Sequence, residues 1–271
     1  MLHSAYCLFL AWIKPYQMLK SIEDVLMSLD QIIQQETDKQ SGMAYFAILY
    51  RHMTARVLRG VQTGQFENGE RMVKLDLLFA QRYIDAYQAY VKKSPLTQSW
   101  QIAFDACSLN KPIVLQHLLL GINAHINLDL CIAAASTAPK DQIHGLKADF
   151  EKINLIISDL IDGVQSKLEQ IWWPLRLIRR IVNDRHEAVI SFSIQTARKA
   201  SWGNAVALAE LADPIQARET YIRSIDLGVS RIAKGILNPG VWSSMVLRIV
   251  RMGEPKNVRK IIDILKEDIP V

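Results

Sequence analysis

The sequence is poor in the two residues that most often interrupt regular structure. Its 271 residues include only 12 glycines and 9 prolines, while 50% of the residues are hydrophobic and 22% are charged. Turn-rich all-β folds need more glycine and proline than this, and disordered chains contain fewer hydrophobic residues. The composition therefore predicts a folded, all-α protein, and the chain is long enough to bury a large core.

Cysteine is also scarce. The three cysteines, Cys7, Cys107 and Cys131, form no C-x-x-C pair, and their odd number argues against a disulfide framework. Free cysteines are common in protein cores, so Cys107 and Cys131 are interpreted as buried space-filling residues. A reducing compartment fits this pattern best, and we expect a cytoplasmic protein.

Several well-known catalytic signatures are missing from the sequence. It contains no H-E-x-x-H motif, no E-x-x-H pair of the di-iron bundles, no His-Asp dipeptide of the helical phosphohydrolases and no D-D-x-x-D run. It also lacks a glycine-rich phosphate loop and a G-x-S-x-G elbow. Zinc protease, nucleotide-dependent and serine hydrolase chemistry are therefore without support in the sequence.

Basic charge is concentrated in the last third of the chain. The net charge is +5, and residues 172–271 hold 16 Lys and Arg against 10 Asp and Glu. Within this part, the segment 172–185 (WWPLRLIRRIVNDR) mixes tryptophan with arginine, as a membrane-surface or nucleic-acid-binding helix does. No recognition motif accompanies it, so no nucleic-acid partner is predicted. Membrane contact through 172–185 is disfavoured, because core packing of Trp172 and Trp173 beside Pro174 explains the same pattern.

The first 20 residues are predicted to form an N-terminal extension. They contain an apolar run of about nine residues, which is too short to cross a bilayer. They also lack the basic start and the A-x-A site of a secretory signal peptide, which disfavours a cleaved leader. Both Met1 and Met18 are candidate start sites for translation.

Hydrophobic residues recur at helical spacing along most of the chain. A first helix is predicted to begin at Ser21, which together with Asp24 has the pattern of a capped N-terminus. Glycines and prolines between the periodic segments mark the ends of further helices. These helices are predicted near 43–62, 69–92, 97–108, 112–137, 140–170, 173–202, 203–211, 214–234, 241–252 and 255–267. We predict one all-helical domain over 21–237, and 238–271 as a C-terminal helical extension packed on that domain.

The segment at about 112–137 is predicted to be the buried central helix of a bundle-like domain. It contains HLLLGINAHINLDL, and between Lys111 and Lys140 the only charged residue is Asp129. Apolar residues lie on every side of this helix, which is typical of a buried one. A membrane span is disfavoured by its five polar groups, one of them ionised. Buried polar groups need partners, so this helix predicts a polar site.

His125 and Asp129 form the centre of the predicted site. Four residues apart on a helix, they can form a hydrogen bond that fixes the histidine tautomer and raises its basicity. This arrangement suits a general base, and it could equally supply two ligands to a divalent metal. His117 is a further catalytic candidate, and Asn123 and Asn127 are predicted to place a substrate. The alternative is that the His125–Asp129 pair only ties helices together.

Neighbouring helices are predicted to supply the rest of the site. In ERMVKLDLLFAQRYIDAYQAY, Asp76 and Tyr83 stand at the inward edge of the core stripe. Arg82, in the same helix, could hold a carboxylate by bidentate pairing. In DFEKINLIISDLIDGVQ, Asn154 and Gln165 share a helix face, and Asp162 flanks that face. The candidates for substrate binding are Asp76, Arg82, Tyr83, Asn154 and Asp162.

Several stretches of the sequence resemble a bacterial family of uncharacterised all-helical proteins. The matching stretches are YFAILYRHMTARV, RMVKLDLLFAQRYIDA, PIVLQHLLLGINAHINLDL, DFEKINLIISDLIDGVQ and ARKASW. They fall within residues 22–205, and the helix around His125 is the most distinctive of them. The resemblance implies a single all-helical domain and no established activity.

Two hypotheses of different kinds follow from these patterns. The first is an intracellular helical enzyme that acts on a small, partly apolar molecule through His125 and Asp129, with a divalent metal as a possible cofactor. The second is a noncatalytic ligand-binding or scaffold module, in which the polar helix only specifies packing. Both predict a buried polar site on the central helix.

Overall fold

The computed structural model describes residues 19–172, 185–211 and 215–267. All regular structure within these ranges is helical, which confirms the predicted all-α fold. The helices are α1 (Ile22–Asp38), α2 (Met43–Gln62), α3 (Gly69–Val91), α4 (Gln98–Ala106), α5 (Val114–Ala124), α6 (Leu130–Thr137), α7 (Gln142–Ile171), α8 (Arg185–Glu210), α9 (Ile215–Leu237), α10 (Val241–Gly253) and α11 (Val258–Lys266). A π turn, His125–Asp129, joins α5 to α6 without a break.

Capping side chains explain where several helices begin. At the start of α1 the Ser21 hydroxyl accepts a hydrogen bond from the Asp24 N–H, and the Asp24 carboxylate accepts one from the Ser21 N–H, each at 3.2 Å. This reciprocal cap confirms the start predicted at Ser21. The side chains of Asn68 and Asn257 cap α3 and α11 by accepting from a backbone N–H three residues on, at 2.9 Å and 3.1 Å.

The predicted helix boundaries agree with the structure except in the region of α8. There the predicted break between 202 and 203 is wrong, because α8 runs through Gly203 to Glu210. A glycine inside a helix costs only about 1 kcal/mol, and the packing of α8 against α6 outweighs that cost. Residues 173–184, which include most of the segment considered for membrane contact, lie outside the described residues.

The continuous helix Val114–Thr137 occupies the centre of the molecule, as predicted. Its first half, α5, packs against α2, α4 and α9, and its second half, α6, packs against α3 and α8. Its length and its mean hydropathy of 1.6 would allow it to cross a membrane, but 78% of its most apolar window is buried inside the bundle. In this structure it is the core helix around which the others assemble.

Three buried carboxylates tie remote segments to the starts of helices. Asp149 accepts hydrogen bonds from the backbone N–H groups of residues 67 and 68, just before α3, at 2.7 Å and 3.0 Å. Asp226 does the same for residues 98 and 99 of α4, at 2.7 Å and 3.0 Å. Glu254 accepts from the N–H of Val114, the first residue of α5, at 3.1 Å. Negative charge is favourable at these positions because helix N-termini carry partial positive charge.

The C-terminal segment lies against the same core as the rest of the chain. Ile261, Ile262 and Leu265 of α11 are buried within the main hydrophobic cluster, which also contains residues of α1 to α5. The Lys167 ammonium of α7 pairs with the Glu267 carboxylate at 2.6 Å. Trp172 is buried in a small cluster with Val250 of α10, so its role in this structure is core packing.

Candidate functional site

The predicted polar site is built on the π turn His125–Asp129. Here the N–H of Leu130 donates to the carbonyl of His125, five residues back, rather than to the residue four back as in an α-helix. Single π turns inside α-helices occur frequently at functional sites. The segment His125–Asp129 contains no glycine or proline, so nothing in the sequence predicts the π turn.

Asp129 is the buried anion of the site. One carboxylate oxygen, Oδ1, accepts a hydrogen bond from Arg82 Nε at 2.8 Å. The other, Oδ2, accepts from Trp100 Nε1 at 2.8 Å and lies 3.2 Å from His125 Nδ1. Burial alone raises the pKa of the Asp129 carboxyl, but the charge of Arg82 and the hydrogen bonds from His125 and Trp100 outweigh burial and lower it. Asp129 is therefore ionised and accepts from three donors on three helices.

The ionised Asp129 determines the tautomer of His125. An ionised carboxylate can only accept hydrogen bonds, so Nδ1 of His125 carries the proton and donates it. Nε2 is then left as an acceptor, and it is buried without a hydrogen-bond partner among the described residues. Burial lowers the pKa of His125, although Asp129 opposes this effect, so the imidazole is neutral at neutral pH.

Aromatic rings enclose the imidazole of His125. The Phe79 ring stacks on it with a centroid separation of 3.6 Å and an interplanar angle of 8°, and the Tyr50 ring meets it edge-on at 4.4 Å. The rings of Phe46, Trp100 and Tyr83 also contact the imidazole, with centroid separations of 5.6 Å, 6.1 Å and 6.1 Å. These rings keep water away from His125 and hold its plane in one orientation.

A cavity of about 170 Å³ lies between α2, α3, α5, α7 and α8, and His125 forms part of its wall. Most of the wall is aliphatic or aromatic. The lining residues with polar groups are Tyr50, Asp76, His125, Gln165 and Arg198. A mainly apolar cavity with a few polar groups is the usual form of a binding site for small molecules.

Asp76 is the second titratable group in this wall. The structure places it inward, and its side chain is 6% exposed. Its Oδ2 atom is buried without a hydrogen-bond partner among the described residues. Burial raises the pKa of the Asp76 carboxyl to about 7, so it is largely protonated below neutral pH and ionised above it.

The other predicted residues of the central helix lie apart from the His125–Asp129 pair. His117, eight residues earlier and therefore about 12 Å along the axis, contacts Cys107 Sγ at 3.8 Å and the Tyr45 ring. Asn123 donates to the carbonyl of Val229 at 3.0 Å, and Asn127 donates to Asn123 Oδ1 at 3.0 Å. None of these three predicted residues lines the cavity; the two asparagines join α5 to α9.

The candidates from neighbouring helices have separate positions. Arg82 reaches the carboxylate of Asp129, but through Nε alone rather than by the predicted bidentate pairing. Tyr83 is fully buried and packs on Phe46, Trp100 and the imidazole of His125, but it does not line the cavity. Asn154 accepts a hydrogen bond from Arg198 Nε at 2.6 Å. Asp162 belongs to α7, and its side chain is outside the described part of the structure.

Trp100 and Arg198 belong to the candidate site and are not among the residues predicted from the sequence. Trp100 belongs to the short helix α4 and reaches Asp129 across 29 positions of sequence. Arg198 belongs to α8 and contacts α7, 44 positions earlier. Only the tertiary structure brings these residues to the site.

The predicted metal site at His125 and Asp129 is not supported by the geometry. The facing atoms of the two residues are joined by their own hydrogen bond, and both Asp129 oxygens already accept from N–H donors. In the part of the chain that the structure describes, no group of three or more His, Cys, Asp or Glu side chains is placed to hold a metal ion. Asp129 instead orients His125.

Fold and site together define an all-helical protein in which a buried histidine, oriented by a carboxylate, forms part of the wall of an apolar cavity. The chain belongs to DUF5995, a family of unknown function. The match to this family covers residues 22–239. The match confirms the resemblance to an uncharacterised family and extends it beyond residue 205. No curated protein and no solved structure matches the chain.

Proposed function

We propose that the protein binds a small, largely apolar molecule in the cavity and that His125 acts on it as a general base. The observation that carries this proposal is the unpartnered Nε2 atom of a histidine whose Nδ1 proton is fixed by Asp129. A buried polar atom without a hydrogen bond costs roughly 1 to 3 kcal/mol. A ligand that donates a hydrogen bond to Nε2 removes that cost.

The surroundings of His125 suit proton transfer. When Nε2 takes a proton from the ligand, the imidazole becomes cationic, and the ionised Asp129 beside Nδ1 stabilises that charge. Asp76, with a pKa of about 7, has a proton to give at neutral pH. The pair supports a reaction in which a proton is removed from one position of the ligand and returned to another.

The cavity itself is tested with a neutral fluorescent probe, N-phenyl-1-naphthylamine. The wild-type protein should bind it with one site per chain, and Ile157→Phe should abolish binding because Ile157 lines the cavity. Leu155→Phe is the matched control, since Leu155 lies two positions away on α7 and is 71% exposed. Equal probe binding by the two variants would contradict binding in this cavity.

The role of His125 is tested by NMR on protein labelled with ¹⁵N-histidine, with His125→Gln used to assign the signal. The free protein should show His125 protonated at Nδ1. Addition of 1-dodecanol, a neutral apolar donor, should shift the Nε2 resonance of His125 and leave that of exposed His144 unchanged. Displacement of the fluorescent probe by 1-dodecanol with no change at Nε2 would refute the general-base assignment.

A noncatalytic binding module is the second candidate, and one observation favours it. The Asp129 carboxylate joins α3, α4 and the π turn through Arg82, Trp100 and His125, as a purely structural tie would. In that case the probe still binds, the Nε2 resonance does not respond to any donor, and His125→Gln lowers the melting temperature without changing probe affinity.

A further inference from the structure

Arg198 carries a buried positive charge in the cavity wall. Its side chain belongs to α8 and is 4% exposed. Nε donates to Asn154 Oδ1 at 2.6 Å, an Nη2 proton is donated to the carbonyl of Phe150, and the guanidinium lies 4.4 Å from the centroid of the Phe150 ring. All of these partners are electrically neutral.

Two other arginines pair with buried carboxylates. Arg71 pairs with Asp149 at 3.2 Å, and Arg82 pairs with Asp129 at 2.8 Å. Among the described residues Arg198 has no ion pair, and burial is the one cause that lowers its pKa to about 9. A buried charge without an ion-pair partner is strongly unfavourable. An anion bound beside Arg198 would therefore be stabilising.

Asp76, the titratable acid of the cavity wall, does not serve as that anion. Its Oδ2 atom has no hydrogen-bond partner, and no ion pair joins its carboxyl to Arg198 among the described residues. Arg198 also has hydrogen-bond donors that are not used by Asn154 or Phe150. A guanidinium has five N–H groups, of which one goes to Asn154 and one to Phe150, and a carboxylate needs two.

The cavity extends along the helix α7. Its lining follows α7 from Phe150 to Leu168, which is about 27 Å of helix axis. Arg198 lies at the Phe150 end, because it bonds to Phe150 and Asn154. Toward the other end the wall is formed by Leu115, Leu118 and Leu168, with Gln165 as the polar residue there.

We propose that the ligand is an amphipathic carboxylate, whose head group pairs with Arg198 and whose hydrocarbon chain extends along α7 into the apolar part of the cavity. This inference rests on the proposed ligand cavity and adds the chemical class of its occupant. A fatty acid has this chemistry, with one monoanionic end and an unbranched apolar body. The carboxylate supplies the charge that Arg198 lacks, and the chain fills the apolar part of the cavity.

The test compares dodecanoate with 1-dodecanol, which has the same chain without the charge. Each is used to displace N-phenyl-1-naphthylamine from the wild-type protein, from Arg198→Met and from Lys199→Met. Lys199 is the matched control, because it is the next residue on α8 and is exposed. Far-UV circular dichroism checks that each variant is folded.

Wild type and Lys199→Met should bind dodecanoate at least about tenfold more tightly than 1-dodecanol, as expected for a desolvated charge pair. Arg198→Met should remove that preference without weakening the binding of 1-dodecanol. If Arg198→Met does not fold, the preference of the wild type for dodecanoate over 1-dodecanol decides alone. Equal binding of the two compounds by the wild type overturns the carboxylate assignment.

Three outcomes separate this inference from the proposed function. Dodecyl phosphate binding more tightly than dodecanoate overturns the carboxylate head group in favour of a phosphate, and the cavity then still stands. Failure of the neutral probe itself to bind overturns the ligand cavity, and the present inference falls with it. Binding of the probe with no effect of charge on displacement leaves the cavity intact and refutes only the role of Arg198.

Discussion

Replacing Asp76 with asparagine should make the stability of the protein less dependent on pH between about 4 and 7. The carboxyl is 6% exposed, and its Oδ2 atom has no hydrogen-bond partner among the described residues. Burial raises its pKa from the ordinary value of 3.8 to about 7. Asparagine has nearly the same shape as the protonated acid and cannot ionise.

The direction of the effect follows from which state holds the proton. Well below pH 4 the carboxyl is protonated in both the folded and the unfolded protein, so its ionisation contributes nothing to stability. As the pH rises, the unfolded chain ionises first while the folded protein keeps its proton until about pH 7, so the wild type loses stability across this interval. The lowered pKa of His125 has the opposite effect, but it is present in both proteins and cancels in the comparison.

The size of the effect follows from the two pKa values. Each pKa unit is worth about 1.4 kcal/mol, so Asp76→Asn should be more stable than the wild type by up to about 4 kcal/mol at pH 8. At pH 4 the two proteins should have similar stability.

Urea unfolding at pH 4, 6 and 8 measures this difference directly. Asp263→Asn, which changes an exposed carboxyl, is the control and should follow the wild type at every pH. A stability difference between Asp76→Asn and the wild type that is the same at pH 4 and pH 8 would refute the burial of an unpaired, protonated acid at this position.

Three further substitutions test hydrogen bonding and packing in the structure. Trp100→Phe keeps a ring in place but removes the Nε1 donor to Asp129 Oδ2, and should lower the free energy of unfolding by roughly 1.5 to 3 kcal/mol, measured by urea unfolding. Gly121→Ala should destabilise by about 1 to 3 kcal/mol, because the new methyl group would lie 2.4 Å from the Phe46 ring. Gly228→Ala, on α9 with nothing within 4 Å of the new group, should instead raise the melting temperature by a few degrees. A lower melting temperature for Gly228→Ala than for the wild type would contradict the expectation that the new methyl group meets no neighbour.

The sequence could predict those features that depend on neighbouring residues. The His125–Asp129 hydrogen bond joins positions four apart, so spacing alone was enough to predict it. The inward placement of Asp76 followed in the same way from its position beside the core stripe of α3. The start of α1 at Ser21 followed from its capping pattern.

Features that depend on how helices meet could not be predicted from the sequence. The Nε1 atom of Trp100 donates to Asp129 only because α4 packs against α5 and the Trp100 side chain reaches the carboxylate. In the sequence, Arg198 cannot be distinguished from the other basic residues in the last third of the chain. Its burial against α7 is a result of tertiary packing. The unbroken α8 shows the same limit, because packing against α6 overrides the local effect of Gly203.

The π turn divides the central helix into two halves that are out of phase. The wider turn holds one more residue than an α-helix does, so α6 is rotated by about 100° relative to the continuation of α5. Ala133, Ala134 and Ala135 of α6 are buried where α6 packs against α3 and α8, while α5 packs against α4 and α9. A related chain with one residue fewer between 125 and 129 would keep an equally apolar helix but present those alanines to different neighbours, and its histidine and aspartate would stand three positions apart rather than four. A single-residue gap at this point would therefore distinguish relatives that have the site from relatives that share only the fold.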